Sequence, residues 1–97
     1  MRIVTHKSIE NFYKKHSNSK SALEEWYTKA NKAEWNNFAE MKLTFKSVDA
    51  VGNNRFVFNV KGNDYRLVAI VLFQIKIIYI RFIGTHTEYD KIDCENI

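Results

Sequence analysis

The stretch from Tyr65 to Phe73 is apolar on both sides once past Arg66, and a strand of that kind belongs at the centre of a sheet. The rest of the chain has to be compatible with it. Just before it, Arg55, Val57 and Asn59 alternate with Phe56, Phe58 and Val60, the period of two of a half-buried strand. Lys61-Gly62-Asn63-Asp64 is a compact hairpin connection between the two. Ile77 to Ile83 reads as a third strand, closed by Gly84, and Gly52-Asn53-Asn54 marks a turn ahead of the first.

The N-terminal half has a different period. Arg2 to Val4 is a short extended segment, after which Ile9, Phe12, Tyr13 and His16 recur at the spacing of one helix face. The polar turn His16 to Ser19 ends that helix, and Ser21 with Glu24 has the capping-box spacing that opens a second. Leu23, Trp26, Tyr27, Ala30 and Ala33 form its apolar face. From Asn36 to Asn54 no period holds, although Leu43 to Phe45 reads as an edge strand or extended segment. Thr85, with Glu88 at the third helical position, caps a short terminal helix. The fold class is α+β: an antiparallel sheet with an N-terminal two-helix hairpin on one face and a short C-terminal helix, the opposite face left available. One domain over 1–97 is expected, with no repeat and no linker.

A single cysteine, Cys94, permits neither an internal disulfide nor a cysteine-based metal cage, and fits a reducing, cytoplasmic setting. The longest apolar run, Leu67 to Phe73, is far short of the roughly 20 residues a membrane-spanning helix needs. No membrane crossing and no signal peptide are therefore expected. Charge is unevenly placed: the chain is basic up to His86, whereas Glu88, Asp90, Asp93 and Glu95 outnumber Lys91 after it. A basic body attracts polyanions, with nucleic acid the leading class and simple solubilising charge the alternative. His6, read as an exposed helix start, His16 and His86 lack metal-ligand spacing, and Gly52, Gly62 and Gly84 are too scattered for a phosphate loop. No metal and no cofactor are expected.

Three arginines, Arg55, Arg66 and Arg81, lie in the strand half, while the helical half uses lysine except at Arg2. Each has two readings: an apolar stem with its head in water, or a planar guanidinium that recognises phosphate. Alternation puts Arg81 on the face of Tyr79 and Ile83. The densest reactive cluster is Gly84 to Asp90, where one helical turn brings His86, Tyr89 and Asp90 to the same flank. Histidine is the usual acid or base near neutral pH, and tyrosine moves a proton or stacks on a base. RNA supplies its own nucleophile, the 2′-hydroxyl, so its cleavage needs only a base, an acid and cations. The alternative is a capping histidine and a packed tyrosine ring. Lys7, Lys14, Lys15, Lys20, Lys29 and Lys32 form either a solvated helix face or a docking surface for folded RNA.

The run Phe56-Val-Phe-Asn59-Val-Lys-Gly62-Asn63-Asp-Tyr-Arg66-Leu-Val, followed by Tyr79-Ile-Arg81-Phe-Ile-Gly84-Thr-His86-Thr-Glu-Tyr89-Asp90-Lys91-Ile, resembles the HigB toxin family of bacterial type II toxin-antitoxin systems. That family is similar in fold to the RelE toxins. The resemblance implies a metal-independent endoribonuclease that cuts mRNA, commonly on the translating ribosome. It also implies a HigA-type helix-turn-helix antitoxin as partner, with operator DNA reached only through that antitoxin. By the same resemblance Arg66 and Arg81 hold the scissile phosphate, and His86 and Tyr89 transfer protons or stack on a base. Arg55, Lys61 and Lys91 are supporting RNA contacts. A noncatalytic RNA or ribosome binder that blocks translation is the competing expectation.

Overall fold

Strand β1 (Arg2–Val4) leads into helix α1 (His6–Lys15), and a 3-10 turn at Ser17–Ser19 passes the chain to α2 (Lys20–Lys32). A short helix α3 (Phe38–Thr44) precedes four strands, β2 (Asp49–Gly52), β3 (Arg55–Val60), β4 (Tyr65–Leu72) and β5 (Ile77–Thr85), and a single helical turn, α4 (His86–Tyr89), follows. The computed structural model describes all residues from Met1 to Ile97. The strands form one sheet in the order β1-β5-β4-β3-β2, with β4 central as its two apolar faces require. No helix is long and apolar enough to cross a membrane.

The α+β architecture, the helical hairpin and the three long antiparallel strands are as the sequence predicts, and several local expectations are corrected. β1 pairs parallel to β5, through Arg2 with Ile77 and Val4 with Tyr79, so the sheet is mixed. Leu43 to Phe45 is not an edge strand. The segment is mostly helical, started by the Asn37 side chain accepting from the Glu40 amide at 2.9 Å while Glu40 accepts from the Asn36 amide at 2.8 Å. Only Met41 of that helix is buried, and Leu43 is largely exposed, so seven residues hold too few core positions to show a period. Strand β2 has an exposed pattern and exists because β3 offers it a ladder. The turn at Gly52, Asn53 and Asn54 does form, with all three residues in the left-handed region.

Ser21 and Glu24 do not make a capping box. The helix starts at Lys20, so Ser21 already sits inside its first turn, and Glu24 is carried round to His6, whose Nε2 donates to it at 2.7 Å. His6 is therefore not a free helix start: its other ring nitrogen lies 3.2 Å from Glu10. Gly84 does not close β5 either. The strand runs on to Thr85, with Gly84 opposite Arg66. A Cβ at Gly84 would stand 2.4 Å from the tip of the Phe82 ring, so the glycine lets that ring lie along the strand.

The helix-facing side of the sheet carries Phe56, Phe58, Val60, Tyr65, Leu67, Ala69, Val71 and Ile78, packed with Ile9, Leu23, Trp26 and Ala30 into one aromatic-rich core. Phe58 is its hub. Its ring meets Trp26 edge-on at 5.3 Å and Phe45 edge-on at 5.3 Å, the arrangement in which aromatic quadrupoles attract. The opposite face is not open, contrary to the sequence expectation. Val57 and Val68 point away from the helices, yet both are buried, because the C-terminal segment crosses this side. Arg55 donates through Nε and Nη2 to the Ile97 main-chain oxygen at 3.0 and 2.8 Å, and Asn53 donates to Glu95 at 3.2 Å.

Phe58→Ala removes a fully buried ring packed against Trp26 and Phe45, which costs about 3–5 kcal/mol. Urea denaturation of the two proteins measures the difference, and a loss under about 1 kcal/mol would contradict the central place given to this ring.

Candidate active site

The site begins with the cap of α4. Thr85 Oγ1 accepts from the Glu88 amide at 3.2 Å and Glu88 Oε1 accepts from the Thr85 amide at 2.8 Å, the reciprocal pair expected from the spacing. The amide of Thr85 holds the Glu88 carboxyl below the usual carboxylate range, so the cap is an ionised one. This closes a helix of one turn and aims His86, Tyr89 and Asp90 from a fixed start.

Antiparallel pairing of Tyr65 with Thr85 and of Arg66 with Gly84 then sets α4 against the start of β4. The Arg66 guanidinium lies over the Tyr89 ring, 5.9 Å from its centroid, and Nη1 donates to the Asn63 carbonyl at 3.1 Å. No carboxylate is within ion-pair distance of it. Its remaining donors are free for an anion. On the flank of the same turn, His86 Nδ1 stands 3.3 Å from Asp90 Oδ2, with both side chains more than half exposed. The carboxylate orients the imidazole and leaves its other nitrogen to solvent.

Tyr89 is the half-buried member. Burial first, then its hydroxyl's bond to Cys94 Sγ at 3.6 Å, push the phenol up to about 12, while the nearby Arg66 charge opposes the rise. The neutral phenol is therefore the favoured form across the physiological range. Its ring serves as a platform beneath the guanidinium.

Arg81 is not in this group. The register of β4 on β5 slips between Val68 and Ala69, which pair with Phe82 and Ile80, so Arg81 is the extra residue of a β-bulge. Alternation therefore fails there: Ile83 pairs with Leu67 on the helix side, and Arg81 lines a groove against α1 with Ser8, Asn11 and Lys15. Arg55 has its donors occupied by the carbonyls of Asn53 and Ile97. Lys61 lies 3.8 Å from Asp64 in the hairpin, and Lys91 is exposed just beyond α4. The pairing of Asp90 with His86 follows the i+4 spacing seen in the sequence. Nothing local in the sequence pointed to Cys94 as the partner of Tyr89. No group of three His, Cys, Asp or Glu side chains is gathered as a metal site.

A family model described as HigB toxin, the RelE-like toxic component of a toxin-antitoxin system, matches residues 19–92, a span that holds Arg66, Arg81, His86 and Tyr89. The chain is 33% identical over 92 residues to the mRNA interferase toxin HigB of Escherichia coli K12, covering 93% of this chain and 88% of that relative. The mRNA interferase HigB of Shigella flexneri gives the same figures. The mRNA interferase HigB of Escherichia coli O6:H1 strain CFT073 is 29% identical over 94 residues, 95% of this chain and 91% of the relative.

The neutral phenol is the form this fold prefers, so the stability that Tyr89 adds is complete below its ordinary 10.0 and is lost as pH rises toward about 12. Wild type and Tyr89→Phe should keep a constant stability difference below pH 10.0, with the balance moving toward the variant above it. Paired urea titrations across that range test this, and parallel pH profiles would show that the phenol is not held in its neutral form.

Proposed function

The chain belongs to the HigB toxin family, the RelE-like toxic component of a toxin-antitoxin system, and on that premise we propose that it is an mRNA interferase cutting message without a metal. The observation that carries this reading is the unpaired Arg66 guanidinium stacked on Tyr89 beside the His86–Asp90 pair. In-line attack by a 2′-hydroxyl builds negative charge on the phosphoryl oxygens. Arg66 is placed to neutralise that charge with preorganised donors rather than with water that must reorient. His86 takes the proton of the 2′-hydroxyl or returns one to the leaving 5′ oxygen, and Asp90 fixes the orientation of the ring.

Tyr89 contributes a surface rather than a charge. Its ring holds the guanidinium in place, and its neutral hydroxyl stays with Cys94. The toxin acts in the cytoplasm on the translating ribosome. A HigA-type helix-turn-helix antitoxin neutralises it and carries the contact with operator DNA. The acidic residues around α4 leave the helix lysines as the surface for docking to folded RNA.

Primer extension on a translated message after induction should show discrete new 5′ ends with the wild-type toxin. Arg66→Ala and His86→Ala should each lower cleavage by about 100-fold to 1,000-fold, the usual effect of removing one group that stabilises transition-state charge. Full toxicity of both variants would refute the assignment of these residues. Blocked translation without new 5′ ends would identify a noncatalytic RNA or ribosome binder instead.

A further inference from the structure

β1 pairs with β5 only from Ile77 to Tyr79, so β5 has no strand partner on that side from Ile80 to Thr85. Helix α1 runs beside this exposed edge, and between them lies a groove of about 290 Å³. Phe12, Ile80 and Ile83 give it an apolar floor; Lys15 and Arg81 stand on its walls with the polar side chains of Ser8 and Asn11. Neither cation is engaged in an ion pair. Such a groove has a net positive lining, neutral hydrogen-bonding groups and unpaired strand backbone, which together suit a chain of phosphates and sugars.

The β-bulge decides where Arg81 points. In a regular strand the residue would share the face of Tyr79, on the side crossed by the C-terminal segment. The extra residue turns it to the α1 side and at the same time makes the edge unsuitable for pairing with another strand. The groove leads along β5 to Gly84 and Thr85, where α4 presents His86. At about 3.3 Å per residue the five steps from Arg81 to His86 span roughly 16 Å, within the length of a short single-stranded oligonucleotide.

We propose that the α1–β5 groove is a backbone-binding subsite for the message strand, in which Lys15 and Arg81 hold phosphates away from the one being cut. This rests on the nuclease reading above and assigns Arg81 to substrate binding rather than to the scissile phosphate. The binding is independent of base identity, since the contacts are to phosphate and sugar.

The test uses the full chain and a fluorescently labelled single-stranded RNA oligonucleotide, with affinity read by anisotropy over a range of salt. Arg81→Ala and Lys15→Ala should each weaken binding up to about tenfold and lower the salt slope by about 0.7, one released phosphate contact apiece. Arg81→Lys should restore the slope. In cleavage assays both alanine variants should raise KM while leaving kcat within about twofold, which separates a binding role from one in the chemical step. A large fall in kcat at unchanged KM for Arg81→Ala would return this arginine to the scissile phosphate and overturn the proposal. Unchanged oligonucleotide binding together with weakened binding to empty ribosomes would place the two cations on ribosomal RNA and overturn it as well. Either result leaves the nuclease reading standing if Arg66→Ala still abolishes new 5′ ends; if wild type produces none, that reading fails, whatever the groove binds.

Discussion

A central strand that is apolar on both faces must be covered twice, and most of what is distinctive in this protein follows from how that is done. The helical hairpin covers one face of β4 with Ile9, Leu23 and Trp26. The other is covered by the C-terminal segment, clamped by Arg55 at Ile97 and by Asn53 at Glu95. Burying Val57 and Val68 beneath that segment removes apolar surface from water, at about 25 cal/mol per Å². The same packing brings α4 down beside the start of β4. The proposed catalytic groups thus meet because a sheet face needed a cover.

The electrostatics follow the same division. The three strand arginines do not share one fate, and only Arg55 lies under the C-terminal segment. Arg55 is occupied in holding the segment, Arg66 is held by a carbonyl and a ring with no carboxylate beside it, and Arg81 is turned away by a bulge. Only the last two keep donors for a phosphate. Tyr89, although surrounded by polar groups, is neutral because burial disfavours its anion more than Arg66 favours it. Its ring lies beneath the Arg66 guanidinium, 5.9 Å from centroid to carbon.

Much of this was legible from local pattern. The capping box of Thr85 and Glu88 forms as its spacing requires, because reciprocal caps involve only residues three apart. The same spacing at Ser21 and Glu24 does not form, since the preceding 3-10 turn begins the helix two residues early and His6 takes the carboxylate. Asn37 and Glu40 carried a similar signal, hidden in a stretch without periodicity. Strand β2 is four residues long and mostly exposed, too short for alternation to separate it from a loop.

Local sequence determined the two periods, the turns at Gly52–Asn54 and Lys61–Asp64, the order of helices and long strands, and the grouping of His86, Tyr89 and Asp90 on one turn. These depend on backbone preferences and on spacings within a single element. Tertiary structure alone decided that β1 joins β5 in parallel, that the C-terminal segment closes the second face, and that Arg66 meets Tyr89 while Arg81 does not. One extra residue in β5 reverses which side every later side chain faces, and a bulge of that kind is set by packing between elements, which alternation within one strand cannot encode.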